Sequence, residues 1–282
     1  MKQYHPVCNF IYFTTVIGFT MFLNHPVFLG ISLVGALGYT LQLFGVKRSG
    51  KSLTGLFFLM LVTALINPAF SHQGITVITV LPTGNVLTLE SILYGLGAAC
   101  KLAAVLLWFR SLSEVLTTDK IVYLFGKTFP VLGLLLSMII AFIPKMQKKL
   151  RDITLARGKA QNLKQGIDIL STLITWELED AAEQADSMKG RGYGLGGRTA
   201  FTTFKFTERD KRMCMLLVGM ILLMVTAYFK GYTNWYYYPE ISQIKMNGRS
   251  ILFYSGYAFL CLLPVLTGKY KEIKWSRLQS EI

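Results

Sequence analysis

Apolar residues along this chain come in long blocks, covering residues 10–23, 27–46, 53–70, 91–109, 213–229 and 251–267. Each approaches the roughly 20 residues needed to cross a bilayer as a helix. The pattern predicts six membrane spans. A seventh block, residues 129–143, is shorter and is bounded by Pro130 and Pro144. It is expected to form a short re-entrant or interfacial helix.

The polar positions are as informative as the apolar ones. One large polar insertion, residues 145–212, carries 14 basic and 9 acidic side chains. It is too short for a domain with its own core, and its periodicity is helical. Met146, Leu150, Ile153 and Arg157 recur at helical spacing after Pro144, a favourable start, and Gly158 can end that helix. A second stripe joins Leu170, Leu173, Ile174, Leu178, Ala181, Ala182, Ala185 and Met188, with Glu177, Asp180, Glu183 and Asp186 largely off it. That helix is expected to end at Gly190. The chain therefore divides into a bundle of about four spans (1–128), the re-entrant segment with cytoplasmic coupling helices (129–212), and two C-terminal spans with a basic tail (213–282).

Composition supports the same class. The chain of 282 residues is 52% hydrophobic and only 16% charged, with 19 Phe and 14 Tyr; a water-soluble fold with such content would expose large apolar patches. Disorder, a disulfide scaffold and a basic nucleic-acid binder are excluded as classes. The net charge of +14 reports topology. With the N-terminus inside, 25 of the 29 Lys and Arg residues fall in segments facing the cytoplasm, as the positive-inside rule requires. Both termini are expected inside, and the first apolar block is expected to be a retained span, with no Ala-x-Ala cleavage site after it. Cys8, Cys100, Cys214 and Cys261 form no CxxC pair and read as packing residues.

Candidate chemistry is sparse. Gly45-Val-Lys-Arg-Ser-Gly50-Lys51-Ser52 matches the phosphate-cradling pattern GxxxxGK[ST], but lies between two expected spans, where no parallel sheet can precede it. It reads as a basic topogenic loop. His5, His25 and His72 are scattered, and no catalytic or metal-binding constellation is found, so neither a metal nor a cofactor is expected. Lys101 is a charge in the middle of a span; such a residue needs bundle-facing partners and serves structure or function. Two Arg-Gly sites remain, Ala156-Arg157-Gly158 and Gly190-Arg191-Gly192-Tyr193, at the ends of the two predicted cytoplasmic helices. Locally, Arg in a last turn complements the helix dipole and Gly caps the end. Together they place two guanidiniums, each suited to a bidentate grip on a carboxylate, at two helix tips.

These features resemble the transmembrane T component of energy-coupling factor (ECF) transporters, the family that includes the CbiQ-type proteins of cobalt uptake. The likeness extends over nearly the whole chain: Asn24-His25-Pro26 between the first two spans, Leu87-Thr88-Leu89-Glu90 before the fourth, Phe129-Pro130 to Ile143-Pro144, and both Arg motifs. The family carries two Ala-Arg-Gly signatures; the first matches at Ala156-Arg157-Gly158, and the second departs at Gly190, where Ala is usual. The resemblance implies a non-catalytic scaffold in a prokaryotic plasma membrane. It would join two cytoplasmic ABC-type ATPases, held through Arg157 and Arg191, to a membrane-embedded S component that binds a vitamin or transition metal. The Leu170 to Met188 stripe would carry motion to the S component, and the glycines at 190, 192, 194, 196 and 197 would let the chain turn at the docking point. Two other classes stay open on the residues alone. One is a polytopic membrane enzyme using Lys101, Glu90 or His72; the other is a transporter with its own substrate site.

Overall fold

The computed structural model describes residues 4–71, 73–80, 86–158, 162–193, 204–243 and 247–280. Eight helices and two short strands follow one another in these segments. Helices α1 (Pro6–Phe22) and α2 (Pro26–Phe70) precede strands β1 (Val77–Val80) and β2 (Val86–Thr88). Then come α3 (Leu89–Val115), α4 (Thr118–Thr128), α5 (Pro130–Arg157), α6 (Leu163–Gly190), α7 (Glu208–Phe229) and α8 (Gly248–Ser280). Five are long and apolar enough to cross a membrane, namely Pro26–Phe70, Leu89–Val115, Val131–Arg157, Glu208–Phe229 and Gly248–Gln279; α1 is a shorter apolar helix. The architecture is that of a helical membrane protein.

The chain separates into two compact units, Met1–Thr117 with Lys205–Ile282, and Thr118–Phe204. In the first, α2 holds two of the expected spans. Gly45 interrupts it with φ 73° and ψ 159°, a conformation open essentially only to glycine. The neighbours on α3 show that the chain reverses there. Ser32 meets Trp108 and Thr40 meets Ser111, and Phe44 lies under Arg110. Asn67, by contrast, is back beside Gly95. The two parts of α2 thus run in opposite senses along α3.

Aromatic packing fills the interior of this unit. Tyr12, Phe13, Phe28, Trp108 and Tyr257 are fully buried together with Leu217 and Leu260. A polar chain threads them: the Trp108 indole N–H donates to Ser32 Oγ at 3.0 Å, and Thr20 Oγ1 lies 2.7 Å from Ser32 Oγ and 3.2 Å from the Tyr257 hydroxyl. With no water in hydrocarbon to accept these protons, each needs such an internal partner. Gly35 permits a close approach of α2 to α8, where a Cβ would stand 2.8 Å from that of Cys261.

Three features differ from the sequence-based expectation. First, β1 and β2 form an antiparallel hairpin, with Val80 opposite Val86 and Val77 opposite Thr88. Its β-branched run of four residues is too short to stand out among apolar spans. The hairpin is tied to the start of α3 by Glu90, which accepts from the Thr76 hydroxyl at 2.7 Å and the Thr76 N–H at 3.2 Å. Second, residues 129–143 do not form a separate short helix. They are the N-terminal half of α5, which continues through Pro144 to Arg157, so Pro144 is not a helix start. Proline costs one backbone bond but keeps helical φ, and a long apolar helix absorbs that loss. Third, α6 runs through Gly190 and takes its glycine cap two residues later, at Gly192.

Candidate partner-docking site

The second unit is built around the α5–α6 pair. Ile153 packs with Ile169 and Leu173, flanked by Met146. Beyond this apolar contact, Lys149 donates to Asp180 and stands 3.6 Å from Glu177, while Lys145 reaches Asp180 at 3.3 Å. As numbers rise along α5 from 145 to 153, their partners on α6 fall from 180 to 169. The two helices are therefore antiparallel. Hydrogen bonds from Lys149 and then Lys145 hold the Asp180 carboxyl below the ordinary carboxylate range.

This pairing dictates where the two Arg-Gly sites lie. Arg157 is the last residue of α5, so it belongs to the end of the pair where α6 begins. Arg191 follows the last residue of α6, at the opposite end. Twenty-eight residues of α6 separate those ends by about 42 Å at 1.5 Å per residue.

Locally the tips are alike. Arg157 precedes Gly158 with φ 81°, and Arg191 precedes Gly192 with φ 79°. At the second tip the Gly192 N–H donates to the Lys189 carbonyl at 2.9 Å and the Tyr193 N–H to the Met188 carbonyl at 2.9 Å. This is the two-bond termination that a left-handed glycine just past the helix allows. The capping glycine is thus Gly192, and the expectation that Gly190 caps the helix is corrected: Gly190 is its last helical residue, and a Cβ there would meet nothing within 4 Å. The departure from Ala at position 190 costs no packing within this chain. Ala156, Arg157, Gly158, Gly190 and Arg191 are exposed and Gly192 is half-buried. Neither guanidinium has a partner among the described residues. Gly194, Gly196 and Gly197 lie outside the described residues.

The predicted stripe on α6 divides between two faces. Leu173 is buried against α5, and its neighbours there are Ile169 and Glu177. Leu170, Ile174, Leu178, Ala181, Ala182 and Ala185 are exposed, and Met188 is half-buried. Sequence reasoning missed Ile169, Lys145 and Lys149, and placed Glu177 and Asp180 off the apolar stripe without finding their partners. Their signal was present, as lysines four apart on one helix and acids three apart on the next, both helical-neighbour spacings.

The remaining candidates lie elsewhere. Residues 46–52 of the GxxxxGK[ST] match are helical, as is the segment before Gly45, so the strand that a phosphate loop follows is replaced by helix. His25 caps α2, its Nδ1 accepting from the Val27 N–H at 3.3 Å, and its Nε2 is 3.2 Å from the Tyr254 hydroxyl. His5 caps α1 in the same way. Lys101 donates to the Met21 carbonyl at 3.2 Å and to the Asn24 side chain. Glu90 is taken up by the hairpin, and His72 lies outside the described residues. No group of three or more potential metal ligands comes together among the described residues. Compared with family models and with curated proteins, the chain matches none.

Proposed function

We propose that this protein is the non-catalytic membrane scaffold of an ECF-type importer, a T component of the CbiQ kind. Two ABC-type ATPases would dock on Arg157 and Arg191, and an S component carrying a vitamin or transition metal would couple to the exposed Leu170 to Met188 stripe of α6. In this reading six spans lie in a prokaryotic plasma membrane with both termini cytoplasmic, ATP being hydrolysed by the partner subunits.

The observation that carries the proposal is the antiparallel α5–α6 pair, which ends in an exposed arginine at each extremity, each followed by a glycine at φ near 80°. A pair of like subunits offers two like acidic grooves some distance apart, and a rigid pair with one guanidinium at each end answers that arrangement. The salt bridges and the Ile153–Leu173 contact make the pair stiff enough to transmit displacement from tip to stripe.

Co-purification tests the reading. The tagged chain is expressed with its genomic neighbours and recovered in mild detergent, alongside Arg157→Ala, Arg191→Ala and the double variant. Each charge-assisted contact is worth about 1.5–3 kcal/mol, so ABC-type ATPases should accompany the native chain and be lost from the double variant. Undiminished recovery with both arginines removed would overturn the docking roles. A chain that purifies alone and turns over a lipid substrate would establish the membrane enzyme instead.

A further inference from the structure

A cavity of about 280 Å³ opens beside Lys101 in the first unit, between the end of α1, the start of α2, α3 and the segment carrying Tyr237. Its walls are otherwise neutral: Leu29, Tyr94, Leu102 and Val105 are apolar or aromatic, and none of the lining residues is acidic. The Tyr94 and Tyr237 rings meet edge-on at 5.4 Å. The Tyr237 hydroxyl donates to the Asn24 carbonyl at 3.2 Å and lies so close to α3 that a Cβ on Gly97 would stand 2.5 Å from it.

Lys101 has three N–H donors. One goes to the Met21 carbonyl, in the last turn of α1 where carbonyls lack helical partners. A second goes to the Asn24 side-chain oxygen. The third has no partner among the described residues. Both acceptors are neutral, so a half-buried ammonium faces a cavity without a counter-charge. Such a group is costly in an apolar setting unless an anion completes its shell.

We propose that this cavity binds the phosphate group of a membrane phospholipid, with Lys101 as its cation. The exposed apolar rim argues for a lipid. The Lys101 ammonium lies beside the turn between α1 and α2, where the chain leaves one apolar helix and begins the next. Met21, Tyr94 and Leu102 are all more than a third exposed at the rim, leaving an apolar path for an acyl chain, while the volume suits a phosphate and its glycerol carbon. The proposal is independent of the ATPase-docking reading.

The full chain, purified in maltoside detergent and stripped of lipid, is titrated with phosphatidylglycerol and followed by native mass spectrometry. The native protein and Lys101→Arg should retain the lipid, and Lys101→Gln should bind it about tenfold or more weakly through loss of a charge-assisted contact. Ala98→Leu, which fills the cavity while leaving Lys101 in place, should weaken binding as well, so the test stands even where Lys101→Gln folds poorly. Equal affinity in native protein, Lys101→Gln and Ala98→Leu would overturn the site. Displacement of the lipid by millimolar inorganic phosphate, with stabilisation equal to that given by the lipid, would overturn the lipid as the source of the anion.

Discussion

Lys145 and Asp180 stand 3.3 Å apart across two antiparallel helices, and Lys149 joins the same carboxylate from one turn further along α5. The Asp180 carboxyl is thereby held below its ordinary range. A carboxyl whose folded value is depressed contributes stability that is fully present above the unfolded value of about 3.9, and is lost as pH falls through the folded value. The α5–α6 pair should therefore be indifferent to pH from neutrality down to that point and loosen below it. Spin labels at the exposed positions Asp152 and Ser171 should give one narrow distance at pH 7. The distribution should broaden at pH 3, and Asp180→Asn should show the broadening already at pH 7. A narrow distribution in the variant would mean that Ile153, Ile169 and Leu173 hold the pair without the ion pairs.

The second relationship that can be tested is buried. Ser32 accepts from the Trp108 indole and shares hydrogen bonding with Thr20, which also meets Tyr257. Ser32→Ala leaves the indole donor unpaired at the centre of the first unit, where α1, α2, α3 and α8 converge. Buried hydrogen bonds between membrane helices average less than their counterparts in water-soluble cores, so the expected loss is about 1 kcal/mol. Unfolding in mixed micelles with increasing dodecyl sulfate should show an earlier midpoint for Ser32→Ala. Ser113→Ala supplies the control, because the Ser113 hydroxyl is exposed and, among the described residues, bonds only the Phe109 carbonyl of its own helix. Equal midpoints in the two variants would show that the polar chain through Ser32 contributes nothing to stability.

Hydrophobic blocks and charge asymmetry made the helical membrane class legible, because both follow from solvation of single helices. The positions of Arg157 and Arg191 at helix ends were legible for the same reason, being set by local glycine and dipole preferences. What pairs with what was not. Asn24 and Lys101 are 77 residues apart, and each is unremarkable until α1 and α3 are packed together. Pro144 misled, since proline starts and interrupts helices with the same φ and only the flanking turns decide which. Gly190 misled for a related reason: Gly190 and Gly192 can each take the left-handed place, and the choice falls to the one that allows the Tyr193 N–H to reach back to Met188.

Gly45 separates two readings of one motif. If residues 45–52 cradled a phosphate, then Gly50, Lys51 and Ser52 would matter alongside Gly45, because that chemistry uses the loop backbone, the lysine ammonium and the hydroxyl together. Of these four residues only Gly45 has a conformation that demands glycine, and it has no neighbour within 4 Å that a side chain would strike. Its requirement is thus of the backbone alone, at the point where α2 doubles back. Gly45→Ala should cost about 1–3 kcal/mol, the range for a strained backbone position, seen as an earlier unfolding midpoint in detergent. Gly50→Ala should be neutral or slightly stabilising, since Gly50 lies in regular helix with open space around it and Ala favours helix by roughly 0.5–1 kcal/mol over Gly. Lys51→Ala should leave stability unchanged, and neither native protein nor variant should bind a fluorescent ATP analogue. Nucleotide binding by the native chain, lost on Lys51→Ala, would restore the phosphate-loop reading and with it a catalytic role that the helical geometry argues against.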